Sequence, residues 1–157
     1  MSDGYTMTLE ADATPEDLAA VRAGLSAYNR RQAGDDSFEP IDLIVRDAAG
    51  AVAGGLLGGT YWGWLVIEIL WLADELRGQG WGSRLLRAAE QIAVERGCHA
   101  AHLDTMSFQA RPFYERHGYA VFGVLEDLPR GHQRYFMQKR LAPAPPERDP
   151  NPAHNLS

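Results

Sequence analysis

The chain is short of thiols, of lysine and of long apolar runs. Among its 157 residues cysteine occurs once, at Cys98, which excludes an internal disulfide and a cysteine-based metal centre and fits a reducing, cytoplasmic setting. Cys98 sits between Gly97 and His99, near the end of an expected helix, where a buried inert thiol is the expected state. Lysine also occurs once, at Lys139, so a phosphate loop ending in Gly-Lys-Ser/Thr is excluded. The longest apolar run, Trp64 to Ala73, is broken by Glu68 and is too short to cross a bilayer. The opening residues Met1 to Gly4 lack the basic and apolar regions of a secretion signal. Basic residues are outnumbered, 15 against 21 acidic, for a net charge of −6. That balance argues against a general nucleic-acid binder and would welcome a cationic or amine partner. His99, His102, His117 and His132 show no metal-ligand spacing, so no metal is expected.

What is present reads as one α+β domain over residues 1–141, followed by a proline-rich tail, 142–157, expected to be disordered. Tyr5 to Glu10 alternates like a short first strand, and Thr14-Pro15 opens a helix with a cap residue and a proline at its first position. Leu18, Val21, Leu25 and Tyr28 recur at helical spacing, predicting a buried stripe. Ile41 to Val45 reads as a strand, Asp47 to Gly50 as a hairpin turn, and Ala51 to Tyr61 as its return strand. Four glycines in that return strand, at 54, 55, 58 and 59, predict a bulge or a wall that something approaches closely. Trp62-Gly63 turns into a strand over Trp64–Leu72, and a helix follows over Ser83–Arg96 with Leu85, Leu86, Ala89, Ile92 and Ala93 on one face. A strand over Ala101–Thr105 then closes a right-handed parallel unit. A short helix over Gln109–His117 and two last strands, Tyr119–Leu125 and Arg134–Leu141, complete the order.

The stretch Arg77-Gly78-Gln79-Gly80-Trp81-Gly82 joins an apolar strand to an amphipathic helix. Alternating glycines let backbone amides approach an anion closely, the helix start offers unpaired N–H groups, and Arg77 adds a fixed positive charge. The spacing is G-x-G-x-G, with Ser83 where a dinucleotide fingerprint wants its third glycine. Asp104 follows at a distance at which such a fold carries an acidic residue, so a dinucleotide site is weakened and stays open.

Two segments together resemble the GNAT superfamily of N-acetyltransferases. Arg77 to Gly82 is similar to its R/Q-x-x-G-x-G/A signature, and Ser107 to Tyr119 is similar to its second signature, N-x-x-A-x-x-x-Y-E-x-x-G-F/Y, at matching spacing. The resemblance covers about residues 5–141 and implies a mixed, mostly antiparallel sheet of six to seven strands with a parallel splayed pair, flanked by helices. It implies acetyl-coenzyme A as co-substrate and an amine as acceptor. The coenzyme diphosphate would lie on Arg77, Gly78, Gln79, Gly80, Trp81, Gly82 and Ser83, and its pantetheine arm on the backbone of Leu70 and Leu72 as an added strand. Tyr114 would be the general acid, a phenol having an ordinary pKa near that of an alkyl thiol.

Glu68 is a lone carboxylate on an apolar strand. Its position reads equally as a solvent-facing charge and as a functional group, and the resemblance makes it the candidate general base. Ser107 stands where the family has asparagine, so its contact to the pantetheine arm is expected to be weakened or replaced. Trp62, Trp64, Trp71 and Trp81 are either core or acceptor-pocket wall. Tyr28-Asn29 and Pro129 to His132 fall where acceptor sites vary. An acyl-coenzyme A sensor without turnover is the alternative reading. Open sheet edges make a homodimer a further possible partner.

Overall fold

The computed structural model describes residues 4–141, so the expected tail lies outside the described residues. The described residues divide into two compact units between Asp36 and Ser37. The first contains one helix, α1 (Pro15–Ala33), capped by the Thr14 hydroxyl, which accepts from the Asp17 amide at 3.1 Å, with Pro15 in its first turn. The expected cap is therefore in place.

Two expectations fail in this unit. Tyr5 to Glu10 forms no strand, and Tyr5, Met7 and Leu9 are almost fully exposed. Alternation predicts a strand only where a partner edge takes up its backbone groups and its apolar face. The stripe Leu18, Val21, Leu25, Tyr28 has the helical spacing expected of it, but no residue of α1 is buried. Its mean hydropathy is low, and the residues between the stripe positions are Ala, Gly and Ser with Arg22, so the apolar face is small.

The second unit is a mixed sheet of six strands in the order β1-β2-β3-β4-β6-β5. They are β1 (Glu39–Arg46), β2 (Val52–Tyr61), β3 (Trp64–Leu72), β4 (Ala100–Met106), β5 (Ala120–Glu126) and β6 (Gln133–Arg140). Only β3 and β4 run parallel; the other neighbours are antiparallel. Between them comes α2 (Trp81–Glu95), and α3 (Arg111–Arg116) leads from β4 towards β5. No helix among the described residues is long and apolar enough to cross a membrane.

The core lies between α2 and one face of the sheet. Leu85, Leu86, Ala89 and Ala93 of α2 bury against Leu56, Leu65, Ile67, Leu103 and Met137, with Ile92 partly buried beside them. Cys98, at the end of this helix, is also buried, and burial pushes its thiol pKa up, partly offset by the Arg96 charge. The buried thiol expected from the sequence is therefore what the fold contains.

The glycines of β2 do bring a bulge, and it falls on the facing strand. Leu57 pairs with Ile69 while Gly58 pairs with Ile67, leaving Glu68 as an extra residue in β3. A side chain at Gly58 would run into the Val66 carbonyl, so this close approach requires glycine. One inserted residue flips every side chain that follows to the other face. Leu65 and Ile67 face the core before the bulge; after it Leu70 and Leu72 do, and Ile69 and Trp71 are turned out, about half-exposed.

Candidate active site

The parallel pairing of β3 with β4 is short. It runs from Trp64 opposite Ala100 to Ile67 opposite Leu103 and then stops. Beyond that point β3 stays hydrogen-bonded to β2 through Leu72, and β4 stays bonded to β6 through Met106. The two strands thus splay at the Glu68 bulge, and backbone groups of Glu68 to Leu72 that would face β4 have no strand partner there. A cavity of about 840 Å³ occupies the opening.

The glycine turn closes one end of that cavity. After β3 a single 3-10 turn, Asp74–Leu76, brings Arg77 round to bond the Leu72 carbonyl through Nε (3.3 Å) and Asp74 through a guanidinium nitrogen (3.2 Å). Gly80 is the residue before α2 and adopts φ 82°, a left-handed conformation that glycine reaches without strain. It offers no side-chain cap, so the first-turn amides of Trp81, Gly82 and Ser83 are left for another acceptor. Arg77, Gly78, Gly80, Trp81, Gly82 and Ser83 all line the cavity. Gly82 is also where Phe113 of α3 packs against α2, at a distance that leaves a Cβ little room (3.3 Å). The turn therefore has the shape and the dipole for a diphosphate.

The other end belongs to α3 and β4. Tyr114 lines the cavity while 6% exposed, its ring edge-on to Phe113 and Tyr119 (centroids 5.1 and 5.9 Å). Burial, and after it the Asp104 charge, pushes its phenol pKa up to about 12. The phenol is therefore protonated throughout the neutral range but is a weaker acid than an unperturbed tyrosine. Asp104 lies between Leu103 and Thr105, each 3% exposed on the core side, so it faces the opposite side of the sheet. Its Oδ2 accepts from Arg134 Nε at 2.8 Å. Glu68, Leu70, Leu72 and Trp71 line the same cavity from β3. Glu68 is exposed and has no hydrogen bond or ion pair among the described residues.

Ten of the twelve sequence-predicted site residues therefore line one cavity, and Gln79 and Ser107 do not. Gln79 turns its side-chain amide back onto the Glu75 carbonyl, 2.5 Å away, and so stabilises the turn from behind. Ser107 is a latch: its Oγ accepts from the Gln133 amide (3.1 Å) and lies 3.4 Å from His132 Nδ1, while its own amide bonds the Gln133 carbonyl. It thereby ties the turn after β4 to the loop before β6. Gln109 holds the inside of this turn, its Oε1 accepting from the Met106 amide at 2.7 Å. Thr105, Phe108, Gln109, Phe113 and Arg116 also line the cavity without having been assigned a site role from sequence. Asp104 lines it too, having been read from sequence only as the acidic residue of the dinucleotide alternative. Asp104 carried the one available signal, a charge inside an apolar strand, like Glu68.

Comparison with known proteins agrees with this geometry. The family described as "Acetyltransferase (GNAT) family" matches residues 8–119. Acetyltransferase Atu2258 of Agrobacterium fabrum is 38% identical over 87% of this chain and 98% of that protein. Blasticidin-S acetyltransferase of Streptomyces morookaense is 41% identical over 59% of this chain and 68% of that protein. The crystal structure of an acetyltransferase from Bacillus cereus superposes with a TM-score of 0.75 at 36% identity, covering 85% of this chain and 97% of that one.

Proposed function

This chain belongs to the GNAT acetyltransferase family, and on that footing we propose that it transfers an acetyl group from acetyl-coenzyme A directly to a primary amine of a small molecule or peptide within a ternary complex. The observation that carries this reading is the splay of β3 from β4 onto the glycine-rich start of α2, with Tyr114 buried in the same opening. An extended pantetheine arm adds a strand to the unpaired edge of Leu70 and Leu72. Its diphosphate lies on the amides of Gly78, Gly80, Gly82 and Ser83 beside Arg77.

The acceptor must present a neutral nitrogen. Glu68, exposed at the bulge, takes the amine proton directly or through water. The nitrogen then attacks the thioester carbonyl carbon: a C–N bond forms, the C–S bond breaks, and the sulfur leaves with the bonding pair. Tyr114 donates its phenolic proton to that sulfur, and the second proton, shed by the attacking nitrogen as it becomes the amide, passes through water to the phenolate and restores it. Because burial has made the phenol a weak acid, it serves first as a hydrogen-bond donor to the developing thiolate and gives up the proton as the C–S bond breaks.

A relative named for blasticidin-S supports small molecules as acceptors. The test is thiol release from acetyl-coenzyme A across an amine panel, alongside titrations with acetyl-coenzyme A and NAD. Amine-dependent thiol release is expected. Coenzyme binding without release for any amine would support a sensor instead, and NAD-selective binding would overturn the reading.

A further inference from the structure

The cavity is chemically polar along its length. Its cationic lining residues, Arg77 and Arg116, come from the glycine turn and from α3, whereas its carboxylates, Glu68 and Asp104, come from the two strands that splay. A diphosphate belongs with the first pair, so the second pair lines the part of the opening left for the acceptor. Trp71 lies on the same side as Asp104. The bulge at Glu68 turns Ile69 and Trp71 away from the core face that Leu70 and Leu72 occupy, and Asp104 is turned away from the core between Leu103 and Thr105.

Trp71 is 49% exposed and lines the cavity beside the equally exposed Ile69, so its indole is open to a ligand. Opposite it on β2 is Gly55, which has no side chain to cover the ring. Arg134 holds Oδ2 of Asp104, which orients the carboxylate and leaves Oδ1 free of hydrogen bonds among the described residues.

We propose that Trp71, with Glu68 and Asp104, forms the acceptor subsite, and that it selects a positively charged amine whose flat or apolar body lies on the Trp71 indole, approaching from the sheet face opposite α2. The inference rests on the acetyltransferase reading and adds to it a substrate class and a direction of entry. An indole face attracts both an apolar body and an adjacent cation. Two carboxylates disfavour an acceptor that carries its own negative charge. Amine recognition thus comes from the inserted Glu68, the re-aimed Trp71 and Asp104 of β4, and coenzyme recognition from the splayed backbone and the turn into α2.

The test is binding of amines to the full chain saturated with coenzyme A, measured by calorimetry, so that it does not depend on turnover. The probes are phenethylamine, n-butylamine and aspartate. The expected order of affinity is phenethylamine, then butylamine, with aspartate weakest. Trp71→Ala is expected to weaken phenethylamine about tenfold and to narrow its lead over butylamine, with Trp71→Phe restoring most of the loss. Asp104→Asn and Glu68→Gln are expected to shrink the discrimination against aspartate.

Coenzyme A affinity is read in every variant, and circular dichroism checks the fold. Unchanged phenethylamine affinity in Trp71→Ala overturns the inference, as does failure of every probe to bind the coenzyme-loaded protein. Failure of the wild-type chain to bind coenzyme A would instead overturn the acetyltransferase reading on which the inference stands.

Discussion

The two halves of β3 differ in one respect, and the site follows from it. From Trp64 to Ile67 the strand is paired on both edges, with β2 and β4, and Leu65 and Ile67 are buried at 0% and 4% exposure. Past the unpaired Glu68 it is paired, from Ile69 to Leu72, with β2 alone, and Glu68, Ile69 and Trp71 are exposed. The first half contributes to stability by filling the core. The second half has given up one ladder of hydrogen bonds, and the backbone groups so released are the ones a coenzyme arm can take. Sheet pairing and substrate binding draw on the same backbone donors and acceptors, so a strand serves both only by dividing its length.

The sharpest test of this division removes chemistry from the cavity that the open half lines, without touching the closed half. Tyr114→Phe is expected to lower kcat by about a hundredfold or more while leaving coenzyme affinity within about twofold. An unchanged kcat would take Tyr114 out of the mechanism. Next in size is damage to the closed half. Leu65→Ala should cost about 2–5 kcal/mol in denaturant unfolding, whereas Trp71→Ala, at an exposed position, should cost well under that. Equal losses at the two positions would erase the contrast.

Gly80→Val is expected to weaken coenzyme binding about tenfold or more, because a β-branched residue does not adopt a φ of 82° without strain and would move the first-turn amides. Retained affinity would show that the turn does not hold the diphosphate. The smallest effect concerns pH. The Tyr114 phenol is raised in the folded state from 10.0 to about 12. Between those values the folded protein holds a proton that the unfolded chain has lost. Its contribution to stability is complete below about pH 10 and is lost as pH rises through about 12. Tyr114→Phe should therefore flatten the alkaline fall in stability over that window, as followed by unfolding midpoints at each pH.

Much of this was readable one residue at a time. The turn at Asp47–Gly50, the strand over Trp64–Leu72 and the apolar face of α2 all depend on local geometry and periodicity, and they form as expected. The glycines of β2 signalled a bulge but not which strand would carry it; that depended on register, with Gly58 opposite Ile67 and Leu57 opposite Ile69. Tyr5 to Glu10 carried the alternation of a strand and formed none, because alternation is necessary for a half-buried strand and not sufficient. Ser107 had the spacing of a ligand contact, yet its hydroxyl went to the Gln133 amide. A short side chain reaches the nearest backbone donor before it reaches across a cavity.

By itself the sequence determined the membership of the chain in its family, the glycine-rich turn before α2 and the place of Tyr114 in its helix, since each is written in contiguous residues whose backbone preferences are local. Only the tertiary structure decided where β3 leaves β4, that Glu68 is the inserted residue, and that Trp71 and Asp104 line one opening. Those outcomes depend on pairing between strands distant in the chain. There the absence of a side chain at Gly58 permits the close approach to the Val66 carbonyl beside the bulge, and the bulge selects which side chains face the cavity.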